Sequence, residues 1–202
     1  MKLSSASRTD GAVEAELAVG DGSRRARAGA AGDVSLQVHR LYLEHGGQLR
    51  SVLRRLTDAR EVEDLVQEVF VVALGRYAQL EAARSQRAWL LGVAVKVAAG
   101  HRRKQWVRGW FGITPEGSRE PVAARTPEGD LMQRDAERVV RGALETLSPR
   151  KREVFVLFEL EGVSGAEIAA AVGCPLKTVW TRLFHARKDF ARALEAMGVT
   201  DV

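Results

Sequence analysis

A single cysteine, Cys174, stands in a chain of 202 residues, so no disulfide can form within it. That usage fits a reducing compartment. Four histidines, His39, His45, His101 and His185, are scattered and make no metal-ligand spacing. There is no phosphate-binding loop and no nucleophile motif. Carboxylates such as Glu63 and Asp64 read as ordinary helix-surface residues. Catalysis, a metal and a cofactor are therefore not expected. No apolar run reaches the ~20 residues that span a bilayer. Met1-Lys2-Leu3-Ser4-Ser5 is followed by no apolar segment of signal-peptide type. The expectation is a soluble, cytoplasmic protein without membrane insertion. Proline is scarce too, with five residues and none between Val34 and Arg108.

What is present is apolar material and positive charge. A hydrophobic fraction of 46% is enough for one medium domain or two small ones with thin cores. The formal net charge is +5 and the sequence pI about 9.8. That balance points to an acidic partner, nucleic acid first, although a solvated basic surface explains the charge alone equally well.

Residues 1–33 are rich in Ala, Gly, Ser and Arg without a sustained apolar period, and predict a disordered tail. Residues 34–108 predict a small helical bundle. Its central stripe, Val62, Leu65, Val66, Val69, Phe70, Ala73 and Tyr77, follows i, i+3, i+4, i+7 spacing. A helix before it carries Leu41, Tyr42, Leu49, Val52, Leu53 and Leu56. One after it carries Trp89, Leu90, Val93, Ala94, Val97 and Ala98. Residues 109–130, interrupted by Gly112, Pro115, Gly117, Pro121, Pro127 and Gly129, predict a flexible linker. Residues 131–198 predict a second helical domain. The fold class is all-α: two small helical domains joined by a linker.

The last third carries the sharpest local signals. Ser148-Pro149 reads as a helix start with a capping serine. Gly162 ends that helix. Ser164 and Glu167 have capping-box spacing, and the short helix they open stops at Gly173. Pro175 then opens a long helix to about Ala196. A short helix, a glycine turn and a longer helix make a helix-turn-helix, whose second helix enters the major groove. Its candidate DNA-contacting residues are Lys177, Thr178, Trp180, Thr181, Arg182, Phe184, His185 and Lys188. Lys and Arg suit phosphates, while Thr and His reach base edges. Val179, Leu183 and Phe190 are left to face the core.

Leu147-Ser148-Pro149-Arg150-Lys151-Arg152-Glu153-Val154-Phe155, Glu159-Leu160-Glu161-Gly162-Val163-Ser164 and Gly173-Cys174-Pro175-Leu176-Lys177-Thr178-Val179 together resemble region four of bacterial sigma factors. The nearest likeness is to the extracytoplasmic-function group, which keeps only regions two and four. Asp64-Leu65-Val66-Gln67-Glu68-Val69-Phe70 resembles that group's core-polymerase-binding helix in region two. The resemblance implies core RNA polymerase and promoter DNA as partners. An anti-sigma factor is a further partner common in the group. It also implies a polymerase-binding face of Asp64, Gln67, Glu68 and Val71, an acidic, amide-bearing face suited to a basic surface. Arg87-Ala88-Trp89-Leu90 resembles the start of the helix that meets the minus-ten element. Lys96, Arg102, Arg103 and Lys104 on that helix are candidate phosphate contacts, beside a base-holding pocket near the loop from Tyr77 to Gln86. The chain departs from the group at Lys96 and Gly100, where an Asn and an Asp are usual. It departs again at Trp180 and His185, where Arg is frequent. A stand-alone helix-turn-helix regulator with an N-terminal sensory or dimerisation domain explains the last third as well, but not the motif from Asp64 to Phe70.

Overall fold

A computed structural model describes residues 10–57, 59–110 and 129–199, and every regular element among them is helical. Helix α1 (Asp10–Leu56) is followed by a 3-10 turn and α2 (Val62–Gly75). A short α3 (Tyr77–Glu81) leads into α4 (Gln86–Trp110). The apolar periods of these helices set their packing. Leu49, Val52, Leu53 and Leu56 of α1 are buried against Leu65, Val66, Val69 and Ala73 of α2 and Leu90, Leu91, Ala94 and Ala98 of α4. Leu80 of α3 plugs the same core. Tyr42, expected in the buried stripe, sits at its rim, with its ring edge-on to Phe70 at 5.2 Å.

The N-terminal segment differs from its reading. The backbone is helical from Asp10, within the stretch whose composition predicts a disordered tail. That stretch is alanine-rich and free of proline. A helix nucleated on the buried half of α1 therefore meets no covalent block as it propagates toward the N-terminus. Most of the linker segment, 111–128, lies outside the described residues.

The second half contains α5 (Gly129–Thr146), α6 (Pro149–Phe155), α7 (Gly165–Val172) and α8 (Leu176–Ala196). Pro149 occupies the first turn of α6, but the Ser148 side chain makes no capping bond. Instead its backbone carbonyl accepts from Lys151 and Arg152 N–H at 3.0 and 2.9 Å. After Phe155 the helix widens into a π segment over Val156–Leu160, and Gly162 at φ 62° turns the chain away. Val163, Ile168, Val179 and Leu183 close the core beneath α7 and α8.

The capping box is present as the spacing predicts. Ser164 Oγ accepts from Glu167 N–H at 3.3 Å, and Glu167 Oε2 accepts from Ser164 N–H at 3.3 Å and from its hydroxyl at 2.8 Å. The hydroxyl bond is the main reason the Glu167 carboxyl is held below the ordinary glutamate range; burial opposes it, and Ser164 N–H and Arg87 add to it. A depressed folded pKa stabilises above the unfolded carboxylate value. That contribution disappears as pH falls through the folded value. Ser164→Ala should cost about 1 kcal/mol near neutral pH. Glu167→Gln should flatten the acid limb of a melting-temperature profile, and an acid limb unchanged by Glu167→Gln would remove this carboxylate from the balance.

Candidate interaction surfaces

Three solvent-facing surfaces and one internal seam account for the residues singled out by sequence. The first surface is on α2. Asp64, Gln67, Glu68 and Val71 are all exposed on the side opposite the buried stripe, with Val71 at 69%. Neighbouring Glu63 is neutralised by Arg50, whose Nε donates to it at 2.7 Å. The acidity left on the face is therefore that of Asp64 and Glu68.

The second surface is the outer side of α4. Lys96, Arg103 and Lys104 are exposed there. Arg102 is turned away from them. One of its terminal nitrogens donates to Leu56 O at 2.9 Å and the other to Glu153 at 3.0 Å. The expected basic run is thus split between solvent and the interior. At the end of the same helix Trp106 and Trp110 are exposed, with ring centroids 5.7 Å apart; the sequence assigns them no role. Trp89 is half-buried against the core, and it also lines a cavity of about 350 Å³ with Arg76, Gln79, Lys96 and Lys104. That cavity borders α3, on the side where the sequence places a base-holding pocket.

The third surface is on α8. Lys177, Trp180, Thr181, Phe184, His185 and Lys188 are exposed, and their spacing puts them on one side of the helix. Thr178 and Arg182 stand off that side and are half-buried; Arg182 reaches Cys174 Sγ at 3.6 Å. Trp180 is anchored as well as exposed. Its ring lies edge-on to Phe158 at 5.4 Å and directly over Gly165, where a Cβ would come within 2.7 Å of the indole. The glycine at the start of α7 lets the two helices of the motif close on this tryptophan. Lys151 donates to Asp189 at 2.6 Å, and this bond is the main cause holding the Asp189 carboxyl below its ordinary range.

The seam joins the two halves, and sequence reasoning missed it. Helix α4 packs directly on α7. The contact is close because residue 92 is glycine: a Cβ there would lie 2.6 Å from Ala171 O. Three carboxylates of the second half meet arginines of the first. Glu167 pairs with Arg87 at 3.2 Å, Glu153 with Arg102 at 3.0 Å, and Glu161 with Arg55. Glu161 also accepts from the Ser51 hydroxyl at 2.6 Å. Burial pushes the Glu153 carboxyl up against the opposing pull of Arg102. The sequence trace of this seam is a glycine and three glutamates, of which Glu167 already has a local role as the capping-box partner of Ser164.

Among the described residues no three His, Cys, Asp or Glu side chains are grouped to hold a metal ion, and no helix is long and apolar enough to cross a membrane.

Comparison with known proteins assigns both halves. The Sigma-70 region 2 family matches residues 41–108, and the Sigma-70, region 4 family matches residues 137–190. The first match covers the half that a stand-alone helix-turn-helix regulator leaves unexplained. A probable RNA polymerase sigma-C factor of Mycobacterium bovis is 34% identical over 134 residues, covering 65% of this chain and 69% of that protein. An ECF RNA polymerase sigma-E factor of Haemophilus influenzae is 27% identical over 178 residues, covering 78% of this chain and 87% of its own. Two solved structures share the fold. CnrH, in complex with the cytosolic domain of CnrY, aligns with a TM-score of 0.63 and 26% identity over 84% of this chain and 94% of its own. The sigma factor RpoE of Bartonella quintana, in complex with the anti-sigma factor NepR, aligns with a TM-score of 0.61 and 25% identity over 78% and 96%. With both regions present in order and its relatives of this kind, the chain belongs to the extracytoplasmic-function group of RNA polymerase sigma factors.

Proposed function

We propose that the three surfaces divide the work of a sigma factor among them. The outer face of α2, with Asp64, Gln67, Glu68 and Val71, docks on a basic surface of core RNA polymerase. The outer side of α4, with Lys96, Arg103 and Lys104, holds phosphates of the minus-ten DNA. The exposed side of α8 reads the minus-thirty-five duplex in the major groove. Lys177 and Lys188 meet phosphates there, and Trp180, Thr181, Phe184 and His185 face base edges. Thr178 and Arg182 flank this surface. Arg102 serves the seam, and reaches DNA only when the two domains part. Nucleotide chemistry belongs to polymerase, so this chain acts without catalysis, in the cytoplasm. Two structures that share this fold were solved in complex with the cytosolic domain of CnrY and with the anti-sigma factor NepR. An anti-sigma factor is therefore a further partner of this chain.

The observation that carries the reading is the orientation of α2 and α8. Each buries its apolar period and leaves one side open to solvent, with Asp64, Gln67 and Glu68 on α2 and Lys177, Trp180, Thr181, Phe184, His185 and Lys188 on α8. Transcription from genomic fragments by purified core polymerase, with and without this protein, tests it; no promoter-specific transcript would overturn it. Within α8 the roles separate by salt. Lys177→Ala should weaken binding to all promoters and lower the slope of log affinity against log salt by about one. His185→Ala should shift preference at one base position by about 1–3 kcal/mol and leave the slope unchanged. A uniform loss across all sequences in both variants would exclude His185 as a base reader.

A further inference from the structure

Beside the seam, a cleft of about 380 Å³ opens between the two domains. Its wall carries four arginines, Arg55 and Arg102 from the first domain and Arg141 and Arg152 from the second, against one carboxylate, Glu145. The arginines are incompletely satisfied. Arg55 and Arg102 spend part of their donors on Glu161 and Glu153. Arg152 gives a terminal nitrogen to Glu145 O at 2.8 Å and Leu147 O at 3.3 Å, but its Nε is buried with no hydrogen-bond partner. Arg141 has no partner among the described residues. Burial, and then the charge of Arg102, push the Arg152 guanidinium below its ordinary value. An orphaned buried N–H beside crowded like charges is the situation a bound anion relieves.

We propose that this cleft binds a pyrophosphate group, free or carried by a nucleoside, and that the bound anion fastens the two domains together. The planar guanidinium fork matches phosphoryl oxygens bidentately. Glu161 and Glu153 already answer part of the charge of Arg55 and Arg102, so the positive excess left for an anion lies with Arg141 and Arg152 against Glu145. The volume suits a small polyphosphate. The site exists only while the domains are packed, because each supplies half of the arginines. A nucleic-acid strand held by separated domains would never meet all four, which selects a small free anion as the occupant. By linkage, a ligand that binds only the packed form opposes every step that needs the domains apart. That regulatory consequence rests on the function proposed above, whereas the binding itself does not.

Calorimetric titration of the full chain with inorganic pyrophosphate, at ionic strength held constant with sodium chloride, tests the site directly. A nucleoside diphosphate titrated separately distinguishes the two sources of the group, and tighter binding in either arm supports the site. Saturable binding should weaken at least tenfold in Arg141→Ala, whose side chain makes no hydrogen bond or ion pair among the described residues. It should tighten severalfold in Glu145→Gln, an opposite change that mere destabilisation would not produce. Gly92→Leu, which places a side chain where Ala171 O lies, should abolish it. Binding no tighter than that of sulfate, or affinity unchanged in Arg141→Ala, would each overturn the proposal.

Discussion

Asp64→Arg combined with Gln67→Arg should lower affinity for core RNA polymerase about 100-fold, or about 2.8 kcal/mol, without unfolding the protein. Both side chains are exposed on α2, and none of the buried stripe is touched. The double change replaces one negative charge by two positive ones on a face proposed to meet a basic surface. Each misplaced charge then costs both the lost attraction and a new repulsion. Val71 sharpens the test. It is 69% exposed in the free chain, and Leu74 of the same helix is exposed at 49%. Val71→Ala should cost about 1 kcal/mol of polymerase binding and almost nothing in thermal stability. Fluorescence-anisotropy titration of labelled protein with core polymerase measures both. Circular dichroism establishes that the variants are folded. Wild-type affinity in the folded double variant would take this face out of the interface.

The face on α2 was legible in the sequence because one period settles it. Once Val62, Leu65, Val66, Val69 and Phe70 are assigned to the core, geometry sends Asp64, Gln67, Glu68 and Val71 to the other side. The helix-turn-helix was legible for a similar reason. Its boundaries are set by Ser164 with Glu167, by Gly173 at φ 65° and by Pro175, residues that act within a turn of where they stand. The basic run on α4 was only half legible. At about 100° per residue, Arg103 and Lys104 fall within about 80° of Lys96, while Arg102 stands about 120° round from it, and whether that side faces solvent depends on what packs alongside. That neighbour is Glu153, 51 positions away. Glu161 and Glu167 likewise find partners 106 and 80 positions distant. Contacts of such separation leave no local pattern. The same holds for Gly92, which reads as an unremarkable helical glycine until Ala171 is seen against it. The π segment over Val156–Leu160 has no distinguishing residue either; it brings Glu161 to where it meets Ser51 and Arg55.

Gly92→Leu should open the molecule. In the packed arrangement α4 touches α7, so the helix proposed to meet the minus-ten DNA lies against the domain proposed to read the minus-thirty-five duplex. Elements centred at those positions are about 25 base pairs apart, which is about 85 Å of duplex at about 3.4 Å per pair. No placement of the packed form reaches both, so binding a whole promoter requires the seam to part. Gly92 is the place to force it. All three atoms that crowd a Cβ at residue 92 belong to the backbone of Ala171, which cannot rotate aside as a side chain does. The nearest atoms all lie across the seam, so the overlap at the Cβ falls on the seam. The charged pair that α7 itself makes across the seam, Glu167 with Arg87, is partly solvated, and a pair of that kind contributes little. It will not hold α7 in place against a steric overlap. Small-angle scattering should show the radius of gyration rising by roughly 5 Å, against about 16–17 Å for a compact chain of this length. Polymerase and promoter should then bind more tightly in the variant, because the cost of parting the domains has already been met. A scattering profile identical to that of the wild type, from a variant with undiminished helicity, would show that α7 accommodates the leucine and that Gly92 does not control the seam.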